Sequence, residues 1–307
     1  LHRLIRRQRQ MCIRDRSVSV GANATFVKNK IKNLPATMKE NGYISGSKKW
    51  LEGKSIYEFW LRQWHGVDPQ TGDGLYVADV SKYNQGNIGT GDGNITQSQF
   101  DEYKKTVVTI DGKELTNSYT YAKYDFSGSS IPDVYGGFNV RVSYKNFDLA
   151  AVFSYQLGGQ ILDTNYATMM SMTEFGYAQS PDLLKAWKQA GDITEVPRID
   201  NSAAHTTNIG QSYSTRWLTS SDYLNLRSVT IGYQLPKTWL SKVMLKSARL
   251  NLTAENLFML KARQGLNPMA NYSGVTYNEY MPSRNITLGL NAVSYTHLRA
   301  HETLMNL

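Results

Sequence analysis

Apolar and polar residues alternate strictly in six separate stretches of this chain, which predicts β-strands with one greasy face and one polar face. In the first, Val18, Val20, Ala22, Ala24 and Phe26 share one side, while Ser19, Gly21, Asn23 and Thr25 take the other. Phe138, Val140, Val142 and Tyr144 form a second stripe. Only Lys145 and Asn146 intervene before Phe147, Leu149, Ala151, Phe153 and Tyr155 resume it, the spacing of a tight antiparallel hairpin. Val229, Ile231, Tyr233 and Leu235, then Ala248, Leu250, Leu252 and Ala254, then Ile286, Leu288, Leu290 and Ala292 repeat the pattern.

The connections between these strands are unequal. Short ones (145–146 and roughly 236–247) alternate with long ones (28–137, 159–222 and 257–284), far above the usual four to six residues. Short turns on one side and long loops on the other is the asymmetry of outer-membrane barrels, with the long connections outside the cell. A soluble β-sandwich would use the same alternation, because its strands also bury one face. Two features favour the barrel. Several stripes end in aromatics, as interfacial girdles do, and the opposite faces carry Arg, Asn, Gln and Glu suited to a watery lumen. Against it, strands of eight or nine residues fall slightly short of the roughly 9 to 11 that a tilted membrane strand needs.

Composition adjusts this picture in two places. No apolar run of membrane-helix length occurs, and a mean hydropathy of −0.44 is compatible with lipid contact on one strand face only. The net charge of +9 would suggest an anionic partner, but residues 1–16 hold six Arg, no Lys and a single acid. Without residues 1–16 and 293–307 the balance is 27 basic against 23 acidic side chains, or +4, and no nucleic-acid partner is expected. Met11–Arg16 and Val293–Thr303 resemble peptides that arise when sequencing-adapter DNA is translated. Both ends (1–16 and 293–307) are therefore expected to be foreign to the gene, which would be cut at both sides. The only cysteine, Cys12, lies in the first of them.

Between those ends, blocks in consistent order resemble the C-terminal third of the SusC/RagA family of TonB-linked outer-membrane transporters. They include Gly53–Trp60, Gly66–Gly72, Ile131–Phe138, Tyr144–Leu149, Tyr155–Gly159, Gly191–Arg198, Ser221–Pro236, Arg249–Phe258, Gly265–Pro268 and Pro282–Arg284. Each block alone is weak, and their order from about residue 17 to 292 makes the match specific. The resemblance implies the C-terminal strands of a 22-stranded antiparallel transmembrane β-barrel in the cell outer membrane, with long extracellular loops. It also implies import of large nutrients, oligosaccharides or peptides. The implied partners are a SusD-like surface lipoprotein, the lipid bilayer, and TonB acting through an N-terminal region. The family's plug, TonB box, signal peptide and early strands have no counterpart here, so this stretch alone is expected not to transport. The rival reading is a soluble extracellular β-rich module that binds glycans.

Trp60, Trp64, Tyr76, Trp187 and Trp217 lie in or beside the long loops, where flat aromatic faces suit stacking on sugar rings. The plainer alternative is that they pack loop against loop. Asp92–Thr96 has the look of a calcium loop. With Gly93 as its turn glycine, however, Ile88 and Thr90 fall at the first two ligand positions and Gln99 replaces the bidentate Glu, so a polar turn is the better reading. His65 and His205 stand 140 residues apart without zinc spacing. No nucleophile elbow, phosphate loop or dinucleotide fingerprint stands in a strand-turn-helix context, so neither enzyme activity nor a metal or cofactor is expected. Ser180–Trp187 is expected to form a short helix capped by Ser180, with Pro181 and Asp182 in its first turn.

Overall fold

A computed structural model describes residues 5–13, 16–91, 93–172, 176–243, 245–277 and 279–294, with side chains from residue 16 onward. One antiparallel sheet dominates. Its strands are β1 (Ile5–Ile13), β2 (Arg16–Phe26), β3 (Val134–Tyr144), β4 (Phe147–Leu157), β5 (Tyr223–Gln234), β6 (Leu245–Glu255), β7 (Met259–Lys261) and β8 (Asn285–Ser294). They pair in the order β1-β2-β3-β4-β5-β6-β8, with β7 continuing the line of β6 against the start of β5. All six stretches of alternating sequence are strands of this sheet. They run to 10–12 residues, two to four longer than the alternation alone delimits, and so reach membrane-spanning length.

Registry aligns the apolar stripes of neighbouring strands across the sheet. Val20 pairs with Val140, Leu149 with Ile231, Ile231 with Leu252, and Leu252 with Leu288, which gives one continuous apolar side. Phe138 stacks on Phe153 at 4.5 Å between ring centroids, and Phe147 meets Tyr233 at 4.4 Å beside the tight turn. That turn contains Lys145 and Asn146, as expected, with Lys145 at a φ of 53°. One irregularity was invisible to the pattern. Val152 pairs with Ser228 but Phe153 with Leu226, so Arg227 is an extra bulged residue. The bulge shifts phase and brings Leu224 and Leu226 onto the apolar side already occupied by Val229 and Ile231. Leu235, expected in the same stripe, falls beyond the end of β5.

The apolar side faces outward and meets no second layer among the described residues. Leu288 is 74% exposed and Ile286 72%, and Val20, Phe147, Leu149, Ile231 and Leu252 are exposed too. A soluble sandwich would bury these side chains against a facing sheet. The packed core lies elsewhere, in the three long connections (27–133, 158–222 and 256–284), which all leave the same end of the sheet and fold into a single body. Phe59 and Leu61 from the first, Leu162, Leu183, Val196 and Trp217 from the second, and Val275 from the third share one buried cluster.

Candidate functional site: the polar wall and its loop body

The inner side of the sheet is a polar surface. Asp148 on β4, Gly232 on β5 and Asn251 on β6 are cross-strand neighbours, and Arg249 sits one pair further along on the same face. The Arg249 guanidinium reaches diagonally across β5 to Asp148 at 2.6 Å, while its Nε donates to Asn251 Oδ1 at 2.7 Å. The ion pair lies directly over Gly232. A β-carbon there would stand 2.4 Å from Arg249 and 2.6 Å from Asp148, which accounts for a glycine in mid-strand. Thr230 and Thr253 hydrogen-bond at 3.0 Å beside it. Arg141 and Asn139 continue the polar face on β3.

The loop body is assembled from short sequence-local elements. Strand Glu58–Arg62 turns Phe59 and Leu61 into the shared core, while the intervening Trp60 remains half-buried on its other side. Helix α1 (Gln97–Thr106) starts with a capping box. Gln99 N donates to Thr96 Oγ1 at 3.2 Å, and Thr96 N donates to Gln99 Oε1 at 2.8 Å. The side chain at the would-be bidentate calcium position is thus committed to a helix cap, and Asp92 lies outside the described residues. Ser180 does cap a turn, accepting from Asp182 N, but that turn is a 3-10 segment, Pro181–Lys185, that stops before Ala186. Leu183 enters the shared core, so tertiary packing rather than helix propensity fixes this segment.

Of the five aromatic candidates, the structure gathers three. Tyr76 and Trp217 are buried, Trp64 is half-buried, and all three surround the same guanidinium environment. Arg216 lies over the rings of Trp64 (4.7 Å) and Trp217 (4.3 Å), and Trp64 meets Tyr76 edge-on at 5.1 Å. Burial lowers Arg216 to about 10 and raises the Tyr76 phenol to about 12. At neutral pH the guanidinium therefore stays charged beside a neutral phenol. Tyr76 donates to Asn208 O at 2.7 Å, Trp217 Nε1 to Gln211 O at 2.8 Å, and Trp64 N to Thr215 Oγ1 at 2.9 Å. These rings fasten the first loop to the second. Neither Tyr76 nor Trp217 presents a face to solvent, and of this trio only Trp64 is less than fully buried.

Trp60 and Trp187 stand apart from that group. Trp60 packs on Phe126 (4.8 Å) with the Lys49 ammonium 4.2 Å from its ring. Trp187 donates from Nε1 to Pro69 O at 2.9 Å and lies so close over Gly72 that a β-carbon there would be 2.5 Å from the indole. His65 is exposed, and His205 is buried. His205 Nε2 is 2.8 Å from the Arg198 carbonyl, and Nδ1 is 3.7 Å from Asp73. Arg198 Nε donates to the same carboxylate at 3.0 Å. The His205 imidazole, with help from Arg198 and Asn117, holds the Asp73 carboxyl down at about 2 against the upward push of burial. This cluster is a second clasp between first and second loops.

No family model matches the chain. It is 31% identical over 175 residues to TonB-dependent receptor P3 of Formosa agariphila, a match covering 53% of this chain and 16% of that receptor. It is 28% identical over 172 residues to TonB-dependent receptor P39 of the same organism, again covering 16% of the relative. Among solved structures it superposes on a chain of the RagAB peptide importer in its closed-closed state with a TM-score of 0.69 at 22% identity. That superposition covers 92% of this chain and 28% of the other. A structure of the RagAB peptide transporter gives a TM-score of 0.68 at 21% identity, with the same coverage. Over 53% of its length the chain is similar to TonB-dependent receptors, and it shares the fold of part of a RagAB transporter chain.

In that shared fold the sheet is barrel wall, and the loop body is the part not legible in the sequence. Two signals pointed to it. Thr96-Gln97-Ser98-Gln99 has capping-box spacing ahead of Phe100 and Tyr103, and Glu58–Arg62 is a short apolar run, Phe59-Trp60-Leu61, bounded by charged residues. Both were hidden inside connections longer than any ordinary loop.

Proposed function

We propose that this chain contributes wall strands and outer loops to an outer-membrane transporter that takes up large nutrients, oligosaccharides or peptides, under TonB control. A SusD-like lipoprotein works with it at the cell surface, and the chain carries out no catalysis of its own. One observation supports the reading above the others. An unbroken apolar face in register across six strands is turned to the outside, while the tightly packed core sits in the loops at one end. A protein surrounded by water would reverse that arrangement. The described strands form an open sheet, so the pore needs further strands. A free edge in hydrocarbon leaves unpaired backbone groups at several kcal/mol each. The aromatic candidates retained for cargo contact are Trp60, Trp64 and Trp187, which are only half-buried. Residues 1–16 and 293–307 are read as foreign to the receptor on their composition, and sequencing the genomic locus tests that.

The deciding experiment expresses the complete receptor from its native locus. Recovery only from the outer-membrane fraction, folding only in detergent or bilayers, and cargo uptake that stops when TonB is deleted are the expected results. A complete protein that remains folded and monomeric in plain buffer would overturn the reading in favour of the soluble glycan-binding module.

A further inference from the structure

Where the wall meets the loop body, three strands bring a single row of side chains to the rim of the polar face. Tyr135 on β3 pairs with Gln156 on β4, and Gln156 pairs with Tyr223 on β5, so an amide is flanked by two phenols at cross-strand spacing. Residues 268–272 of the third loop roof this row and enclose a cavity of about 210 Å³. The loop is held there by backbone and side-chain ties. Leu162 N donates to Gly274 O at 2.7 Å, and Ser130 Oγ donates to Tyr272 O at 2.7 Å. Gln156 is oriented by donating from Nε2 to Ser221 Oγ at 2.8 Å, and Ser221 Oγ donates in turn to Gly158 O at 2.9 Å.

The cavity's chemistry is selective. Its lining has three tyrosines, amides and hydroxyls, with Met269 and two prolines as apolar surface, and no charged side chain. A larger neighbouring cavity, about 650 Å³, differs in kind. It is lined by Asp163, Asp182, Arg263 and Glu279. Arg263 pairs with Asp163 at 3.0 Å, Lys185 with Asp182 at 2.7 Å, and Glu279 accepts from Asn271 at 2.8 Å, so those charges are committed to holding the loops. The smaller cavity opens on the polar face of the wall, where cargo moving inward must pass. Flat phenol faces beside amide and hydroxyl groups match the alternating C–H faces and hydroxyl rims of a sugar ring, and a site without charge gives no hold to an ionised group.

We propose that the Tyr135–Gln156–Tyr223 row, roofed by residues 268–272, is a subsite for one uncharged sugar ring of an incoming oligosaccharide. The proposal rests on the transporter reading above and narrows its cargo to neutral glycans. The test uses the complete purified receptor in detergent, where binding is read without TonB. The probes are maltohexaose, cellohexaose, xylohexaose and an uncharged hexapeptide. Ala270 is exposed and borders the cavity, so Ala270→Trp fills it without touching the core. Tyr135→Ala removes one stacking face. The expected result is that the wild-type receptor binds at least one hexasaccharide, and that each variant weakens it at least tenfold while the folded barrel keeps its heat-modifiable migration. Unchanged binding in both variants, binding of none of the three glycans, or a loss confined to the hexapeptide overturns the subsite. TonB-independent uptake in cells would instead overturn the transporter reading and leave the binding result standing.

Discussion

The wall and the loop body obey opposite rules although one chain builds both. In the wall, large apolar side chains are the exposed ones and the ion pair Asp148–Arg249 points inward. In the loop body, Phe59, Leu61, Leu162 and Trp217 are fully or almost fully buried, while charges gather at the surface and at clasps. The contrast shows that the solvent on each side sets the pattern. Lipid rewards an apolar exterior, whereas water rewards an apolar interior. It also shows that three long loops of one sheet can be one solid. Their shared core removes apolar surface that none of them could bury alone.

Four perturbations would break or sharpen this contrast, and the largest concerns the loop core. Trp217 is 2% exposed and shares the buried cluster with Phe59 and Leu61 of the first loop and Val275 of the third, so Trp217→Ala should cost about 3–5 kcal/mol of local stability. Hydrogen exchange should speed up in all three loops together and remain unchanged in β3, β4 and β5. Faster exchange restricted to residues 158–222 would show that the body is not shared.

Next comes the outer face. Leu288→Arg should destabilise the complete receptor in lipid bilayers by about 2–4 kcal/mol, whereas Thr287→Arg, one residue away on the polar side, should be nearly neutral. Equal costs in urea unfolding from liposomes would mean that the two faces are not in different solvents.

Acid should loosen the loops before the wall. The Asp73 carboxyl is depressed from 3.8 to about 2, so its contribution is complete above pH 4 and is lost as the pH falls through 2. The depression corresponds to about 2 kcal/mol. Protease nicking between residues 66 and 74 should rise across that window, and Asp73→Asn should show the same nicking already at neutral pH with no further acid dependence.

The smallest effect is inside the wall. Gly232→Ala forces Arg249 and Asp148 apart and should cost about 1 kcal/mol, the scale of a partly exposed ion pair. In Asp148→Asn the same glycine change should cost less, since the pair is already weakened. A double-mutant cycle in bilayers reads the difference.

How much of this was legible in the sequence follows from what each level of structure depends on. Strand pairing and facing depend on a period of two, and residues such as Val140, Leu149 and Leu288 declare it without help from distant parts of the chain. The turn at Lys145–Asn146 is equally local. The Arg227 bulge was not legible, because it interrupts the period and is tolerated only by its partners on β4. Likewise the burial of Tyr76 and Trp217 could not be read from position alone. Each is an aromatic in a long connection, and in sequence nothing separates one that clamps Arg216 from one that faces cargo.

The alternating stripes, taken alone, determined that this protein is built on antiparallel strands with one apolar and one polar face, because that outcome needs only side-chain polarity and the strand's own geometry. Tertiary structure decided what the long connections are. Phe59, Trp217 and Val275 are far apart in the chain, and each could belong to a floppy loop. Only when folding brings them within van der Waals contact does burying them together outweigh the entropy of ordering three loops, and only then does the Tyr135–Gln156–Tyr223 row acquire its roof.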